Sequence, residues 1–324
     1  MKPYTFSGHD TFALRHGWLQ KIYDRACQLN AEIDEDFGKI GGVEDRTDEL
    51  FDPEIAMAAF GVGKNMVRSM RYWAFASNFL SAAEKNRYLI KPLGHAMLAK
   101  KRDGSKAGLD PFFEHPASLW LLHWEIATNA QFCTAWDFAF STFARTLFKK
   151  EDLSEALKAL AADRGWKASD GSIEKDVNCI LQMYCADLPH AKGGIREESA
   201  ESPLAELRLI SRDSASGGYR FEIGAKNTLP PQILYYAIAQ FSAQRQSQIM
   251  NLDEIFYDHG SPGRVFKLDE NSMCSMLELA SDATDGALEW QETGPLRQLK
   301  IRDDFKAPLD LLADAYATGL EVLA

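Results

Sequence analysis

The sequence predicts an α+β fold that is mainly helical and carries small β-hairpins. Apolar residues recur at helical spacing over most of the chain, whereas alternating segments are short and bounded by glycine-rich turns. Residues 111–150 are densely aromatic, and Trp120 and Trp124 are four residues apart, as helical faces in a core require. We expect winged helix-turn-helix-like units attached to this aromatic-rich helical core.

The composition is that of a chain with a substantial hydrophobic core, with 46% apolar and 11% aromatic residues. No apolar run approaches the length of a membrane span, and the N-terminus does not resemble a signal peptide. The five cysteines are odd in number and form no CxxC pair. We therefore expect reduced, mostly buried thiols in a cytoplasmic protein, without a membrane partner.

The opening segment, FSGHDTFALRHGW, concentrates polar side chains immediately before a predicted amphipathic helix at 17–30. One reading is structural, because Ser7 and Asp10 match the Ser-x-x-Asp pattern of a capping box. The other is catalytic. In a phosphodiester-cutting site, His9 would be a base or metal ligand, Asp10 a metal ligand, Arg15 a phosphate clamp and His16 an acid.

Charge is unevenly distributed along the chain, whose net charge is −11. Residues 32–54 contain ten acids and two bases, whereas residues 61–106 contain ten bases and two acids, a local balance of 10 − 2 = +8. A basic patch of this kind attracts polyanions even when the rest of the surface is acidic.

The basic stretch has the pattern of two helices and a strand pair. Asp52-Pro53 predicts the start of a short helix, Gly61-Val62-Gly63 a break, and residues 64–77 a second helix. This order resembles a winged helix-turn-helix, whose second helix enters a DNA groove. The alternative is an ordinary helical hairpin with a solvated basic face. The candidate DNA contacts in this unit are Lys64, Asn65, Arg68, Arg71, Lys85, Arg87 and Lys91.

The remainder alternates helices with short hairpins. The stretch AELRLISRDSASGGYRFEIG predicts a hairpin with SASGG as its turn, and the following PPQIL predicts a helix start. Beyond residue 248 we expect a helix, a Gly/Pro break, a short strand in RVFKL and a helix capped near Asp269 or Asn271. A strand pair with basic residues follows. The candidate DNA contacts beyond residue 248 are Arg264, Arg297, Lys300 and Arg302.

These elements predict four units along the chain. The first is an N-terminal motif segment with a helix and an acidic loop at 1–47, and the second is a winged-helix-like DNA-binding unit at 48–106. The third is a helical core with one β-hairpin at 107–247. The fourth, at 248–324, is a candidate second winged-helix-like unit.

Four stretches in order, FSGHDTFALRHGWLQK, SLWLLHWEI, SPGRVFKLDENS and TGPLRQLKIR, resemble motifs of the SspB-like family. This is a bacterial domain family of formerly unknown function, associated with DNA phosphorothioation and defence. The resemblance runs from Tyr4 to about Tyr316. The segment CTAWDFAFSTFART departs from the family pattern. The resemblance implies a component that acts on double-stranded DNA beside a cysteine desulfurase, an ATPase and an adenylating sulfur-transfer enzyme.

The resemblance and the residues leave two main functional hypotheses. The first is a component that nicks one DNA strand to allow sulfur incorporation, with Mg²⁺ or Mn²⁺ as the candidate cofactor. The second is a non-catalytic winged-helix adaptor or regulator that binds DNA in the same system. A third, a scaffold that dimerises through residues 111–150, also stays open.

Overall fold

The structure is a computed structural model, and it describes residues 4–31, 47–83, 88–100, 108–185, 202–293, 296–302, 305 and 308–317. Helices predominate and the strands form small antiparallel sheets, so the α+β prediction is confirmed. Lys85, Arg87 and most of the predicted acidic loop lie outside the described residues.

The N-terminal elements follow the predicted order. They are α1 (Trp18–Ala31), a 3-10 turn (Thr47–Phe51), α2 (Pro53–Phe60), α3 (Lys64–Ala76), β1 (Leu80–Ala82), β2 (Tyr88–Ile90) and α4 (Pro92–Leu98). Asp52 caps α2, because its Oδ1 accepts hydrogen bonds from the backbone N–H groups of Glu54 and Ile55 at 3.0 and 3.3 Å. Gly61, at φ 66°, ends the same helix in the left-handed conformation that glycine favours.

Strands β1 and β2 form a two-stranded hairpin directly after α3, with Leu80 opposite Ile90 and Ala82 opposite Tyr88. Two helices with a glycine turn between them and a hairpin after the second helix match the order on which the winged helix-turn-helix prediction rests. The assignment of this unit to that fold stays a prediction.

The central region is built around one helix that is buried on all sides. The elements are α5 (Pro116–Ala127), α6 (Thr134–Asp137), a π-helical turn (Phe138–Thr142), β3 (Leu147–Phe148), α7 (Lys150–Asp163), α8 (Asp170–Tyr184), a 3-10 turn (Pro203–Leu207), β4 (Ile210–Asp213), β5 (Gly218–Phe221) and α9 (Pro231–Arg245). Every residue of α5 after Pro116 is buried, which identifies it as a core helix rather than an amphipathic surface helix. The predicted hairpin is β4–β5, and β3 adds a third strand beside β5.

The C-terminal region contains a second three-stranded sheet, in the order β6-β8-β7. Its elements are β6 (Ile249–Asn251), α10 (Leu252–Tyr257), α11 (Pro262–Val265), α12 (Glu270–Glu278), α13 (Ala280–Ala283), β7 (Leu288–Thr293), β8 (Leu296–Ile301) and α14 (Pro308–Ala317). The predicted strand in RVFKL is wrong. Ser261 caps a helical turn that begins at Pro262, so Arg264 and Val265 are helical.

The buried apolar side chains form one continuous cluster from Ala13 to Ala315. It contains residues of all four predicted units, whose boundaries stay predictions. The five cysteines are buried and free of disulfides, as expected. Among the described residues, no helix has both the length and the apolar character needed to cross a bilayer.

His123 on α5 illustrates how polar groups are accommodated in this core. Its Nε2 lies 2.9 Å from the Val265 carbonyl, and its Nδ1 lies 2.8 Å from the Tyr184 hydroxyl. A carbonyl only accepts, so Nε2 carries the proton and the tyrosine donates to Nδ1. Burial lowers the pKa of His123 to about 3, with Lys267 and Lys226 adding to the shift and the Val265 hydrogen bond opposing it.

We predict that His123 makes the protein less stable in mild acid. The unfolded imidazole gains a proton below a pKa of 6.5, whereas the folded one stays neutral to about 3. Stability therefore falls as the pH falls below 6.5, and this residue contributes roughly 2–3 kcal/mol of the loss by pH 4.5. Urea unfolding of the protein and of His123→Gln at pH 7.5 and 4.5 measures it. The difference in unfolding free energy between the protein and His123→Gln should be smaller at pH 4.5 than at pH 7.5. An equal difference at the two pH values would contradict a neutral, buried His123.

Candidate nucleic-acid interface

The first turns of α3 present the predicted basic residues to solvent. Lys64, Asn65, Arg68 and Arg71 are all exposed. The opposite face is anchored in the core, with Val67, Met70 and Trp73 among its buried residues. The two-faced character predicted for this helix is therefore confirmed, and the cations stand on a rigid, packed element.

Arg71 connects α3 to the hairpin. Its guanidinium lies over the rings of Phe75 and Tyr88, 5.6 and 5.5 Å from their centroids. Such contacts stabilise the cation and orient its plane. Tyr88 begins β2, so Arg71 is held between the helix and the strand pair while its charge stays exposed.

The N-terminal segment lies along the same helix. The Phe12 carbonyl accepts hydrogen bonds from Trp73 Nε1 at 3.0 Å and from Ser69 Oγ at 3.3 Å. Asp10 Oδ2 lies 3.9 Å from Arg68 Nη1, and both side chains are partly exposed. The structure thus brings the opening motif and the basic helix together, although sequence reasoning placed them in separate units.

His9 is fully buried inside this contact. Its Nε2 lies 2.8 Å from Asp176 Oδ1 on α8, and its ring centroid lies 5.6–6.1 Å from those of Tyr72, Trp73 and Trp136. Burial raises the pKa of Asp176, while the hydrogen bond and the charge interaction with His9 oppose that shift. In this arrangement the imidazole has no exposed atom that can reach a phosphodiester.

Of the two readings of the opening segment, the capping box formed by Ser7 and Asp10 is wrong. Ser7, Asp10 and Thr11 have φ values of 59°, 47° and 69°, and the first helix starts only at Trp18. The Ser7 N–H instead donates to Asp176 Oδ1 at 2.7 Å. A tertiary partner on α8 replaces the local cap that the pattern suggested.

The other residues of the predicted catalytic set have separate surroundings. The Arg15 guanidinium lies over the rings of Phe12 and Trp18, at 5.7 and 5.5 Å. The half-exposed His16 lies 3.7 Å from Glu206. Catalytic roles for His9, Asp10, Arg15 and His16 stay predictions, and the structure pairs each of these side chains with a different neighbour.

Lys91, predicted as a wing contact, belongs to a polar network at the base of the hairpin. Its Nζ donates to Asn78 Oδ1. Asn78 in turn hydrogen-bonds the buried Glu125, whose Oε1 also accepts from Tyr236 at 2.6 Å and Gln240 at 2.9 Å. Burial raises the pKa of Glu125, and these hydrogen bonds oppose the shift. Lys91 is therefore partly engaged by the protein itself.

The C-terminal candidates lie apart from α3 in the element order. Arg297 is already paired, with Glu270 at 2.5 Å and Glu292 at 3.3 Å. Arg264 donates from Nε to the Tyr257 carbonyl at 3.0 Å. Lys300 and Arg302 are exposed on and just beyond β8. Their sheet does not include the β1–β2 hairpin.

Asp176 is the residue that sequence reasoning missed. It lies on the buried face of α8, three residues after Ile173 and next to Val177. A carboxylate within an apolar stripe at helical spacing is the signal that could have revealed it, because such a group needs a buried partner.

Comparison with known proteins places the chain in a family. A family model described as a protein of unknown function, DUF4007, matches residues 6–316. The chain belongs to the DUF4007 family. It resembles a magnesium ion-bound SspB crystal structure, with a TM-score of 0.78 and 25% identity over 99% of this chain and 91% of that one. A second SspB crystal structure gives 0.76 and 24% over the same shares. No curated protein matches the sequence.

The SspB-like resemblance is thereby confirmed. One of those SspB structures binds a magnesium ion, which raises the question of a metal site in this DUF4007 chain. Within the described ranges, no three or more histidine, cysteine, aspartate or glutamate side chains are grouped so as to hold a metal ion. Mg²⁺ or Mn²⁺ therefore stays a prediction for this chain, and the role proposed below for α3 uses no metal.

We predict that His9 stabilises the fold more than any exposed residue of its motif does. Replacing His9 by Ala removes a buried ring and leaves the Asp176 carboxylate without this partner, which should cost about 2–4 kcal/mol. The matched control is His16→Ala, in the same segment but half exposed, with an expected cost of no more than ~0.5 kcal/mol. Urea unfolding followed by tryptophan fluorescence measures both. Equal stabilities of the two variants would contradict a structural role for His9.

Proposed function

We propose that this protein is a DNA-binding component of a DNA phosphorothioate modification and defence system. The observation that carries the proposal is the exposed row Lys64, Asn65, Arg68 and Arg71 on α3. The likeness to SspB supports the choice of system. In that system its partners would be the cysteine desulfurase, the ATPase and the adenylating sulfur-transfer enzyme.

The physical case for DNA rests on the placement of α3. An α-helix fits the major groove, and its exposed cations contact phosphates on either side. Helix α3 follows a glycine turn and precedes a hairpin, as a recognition helix precedes the wing in winged helix-turn-helix proteins. Arg71, held over Phe75 and Tyr88, loses little further side-chain freedom on binding.

The ion pair between Asp10 and Arg68 places a carboxylate within this basic surface. At 3.9 Å between partly exposed groups, it contributes little stability, about 0–1 kcal/mol. Asp10 Oδ2 is itself buried and has no hydrogen-bond partner among the described residues, so a phosphate that draws Arg68 away leaves this oxygen unpaired. If the protein binds DNA without cutting it, Asp10 competes with the DNA phosphates for Arg68.

We predict that Arg68→Gln and Arg71→Gln each weaken binding to a 25-base-pair duplex several-fold at moderate salt. The double variant should lower the slope of log K against log salt by about 1.8, because each phosphate contact releases ~0.9 counterion. Fluorescence anisotropy at several salt concentrations measures both effects. The control is Arg164→Gln, which removes an exposed arginine at the end of α7 and should leave the binding unchanged. Equal losses in Arg68→Gln and Arg164→Gln would remove α3 from the interface.

DNA nicking is the second candidate function. It is favoured by the likeness to SspB and by the position of Asp10, a partly exposed carboxylate beside the basic helix. In this reading the buried His9 positions the segment, whereas Asp10, Arg15 and His16 face the substrate.

Asp10→Asn separates the two candidates. A nickase loses its activity in this variant, because a carboxylate that binds or activates a reacting group is gone. If the protein is a non-catalytic adaptor, Asp10→Asn should bind duplex DNA up to a few-fold more tightly than the unaltered protein, because Arg68 is no longer paired with a carboxylate. Conversion of supercoiled to open-circular plasmid, with and without Mg²⁺ or Mn²⁺, is measured beside duplex affinity. Plasmid left intact by the unaltered protein under all ions would leave the adaptor role alone.

A further inference from the structure

A pocket remote from α3 in the element order is not used by the proposed function. It measures about 310 Å³, and its wall joins the residues after the π-helical turn to the α10–α12 region. This size falls within the range of small-ligand sites, roughly 300–1,000 Å³. Two stretches noted in the sequence meet here: SPGRVFKLDENS and CTAWDFAFSTFART.

One lining residue of the pocket is a buried lysine. Lys267 is 7% exposed, and its Nζ lies 4.3 Å from the centroid of the Phe221 ring. It donates to the Phe140 carbonyl at 2.9 Å and more weakly to that of Ala139 at 3.4 Å. An ammonium has three N–H donors, and two of them serve these backbone carbonyls.

The charges around Lys267 are predominantly positive. Burial lowers the pKa of Lys267 to about 7, and the nearby charges that add to the shift, Arg264 and Lys226, are both cations. Arg145 is a third cation in the wall and is 64% exposed, with one ion pair to Asp152. An anion bound among these groups would offset their mutual repulsion.

The two acids of the wall are occupied elsewhere. Asp269 accepts from the Ser272 N–H at 2.7 Å and caps α12. Glu270 pairs with Arg297 at 2.5 Å. Neither carboxylate acts on the pKa of Lys267 among the causes of its shift. Both carboxylates keep their charge, and Asp269 also interacts with Lys226. The lining thus has three basic residues against two acidic ones, a formal excess of one positive charge.

The rim of the same pocket is apolar. Ile223 and Tyr257 line it while remaining 54% and 49% exposed. An exposed aromatic ring beside basic lining residues suits a ligand that has both an anionic group and a flat ring, because bases stack on aromatic side chains. Phosphate alone would leave this rim unused.

We propose that this pocket binds a nucleoside phosphate, with the phosphate at Lys267 and Arg264 and the base against Tyr257. The nucleotide is either a free mononucleotide or an unpaired nucleotide of a DNA strand, since both present the same chemistry. This site is additional to the proposed duplex surface on α3 and does not depend on it.

Isothermal titration of the full chain with dAMP, deoxyadenosine, inorganic phosphate and a hexaglutamate peptide tests the proposal. We expect dAMP to bind at least ~10-fold more tightly than deoxyadenosine, because charge-assisted hydrogen bonds contribute roughly 1.5–3 kcal/mol. Tyr257→Ala should weaken dAMP but leave phosphate affinity unchanged. The proposal fails if dAMP does not bind, if phosphate binds as tightly as dAMP, or if hexaglutamate binds as tightly as dAMP.

Three substitutions locate the site. Arg264→Gln and Lys267→Met should each weaken dAMP binding by ~10-fold or more, since each removes a charged partner. If Lys267→Met does not fold, the exposed Arg145→Gln provides the second test. Arg164→Gln is the control of equal charge. Unaltered dAMP binding in Arg264→Gln and the second variant would overturn the assignment.

The affinity for single-stranded DNA distinguishes a free mononucleotide from an unpaired nucleotide of a DNA strand. A ten-nucleotide strand that binds more tightly than dAMP, and loses that affinity in Arg264→Gln, assigns the pocket to a DNA strand. Equal affinities assign it to a free nucleotide. Arg68→Gln should leave dAMP binding intact while weakening duplex binding, so a failure of the α3 proposal and a failure of this one are distinguishable.

Discussion

The architecture depends on the polar residues of α5, a helix buried on all sides. Each needs a hydrogen-bonding partner, and each finds it on a different element. Ser118 contacts Tyr316 on α14 at 2.8 Å, His123 contacts Tyr184 on α8, and Glu125 contacts Tyr236 on α9. A buried polar group without its partner costs about 1–3 kcal/mol, so these contacts select one docking arrangement from those that apolar packing alone would allow.

This constraint extends to both proposed sites. Through Asn78, Glu125 is connected to Lys91 at the base of the β1–β2 hairpin, directly behind α3. Through the Val265 carbonyl, His123 fixes the end of α11, two residues before the pocket lysine. The SLWLLHWEI motif therefore has a structural role that is sufficient to account for its histidine and its glutamate.

Local chemistry in the sequence predicted the elements well. Asp52-Pro53 correctly predicted a capped helix start, and the SASGG turn correctly predicted the β4–β5 hairpin. The helical spacing of basic and apolar residues correctly predicted the two faces of α3. All of these depend on residues a few positions apart. The segment RVFKL failed because Ser261-Pro262, just before it, starts a helical turn that outweighs β-propensity.

The candidate site was less predictable, since its geometry depends on distant partners. The carboxylate that holds His9 lies 167 residues away in the chain, and nothing within the opening motif indicates it. The same motif could be read as a capping box or as a catalytic cluster, and both readings assumed that its polar residues serve each other. Lys267 was likewise hidden, because a lysine flanked by apolar residues has no local pattern that separates a buried ammonium from a solvated one.

The backbone conformation of the opening segment also depends on distant partners. Three residues without the freedom of glycine, Ser7, Asp10 and Thr11, have positive φ, which costs of order 1 kcal/mol or more each. The surrounding contacts offset that cost: Asp176 holds the Ser7 N–H, and Trp73 holds the Phe12 carbonyl. The strained loop is what places its carboxylate against Arg68 and its imidazole in the core.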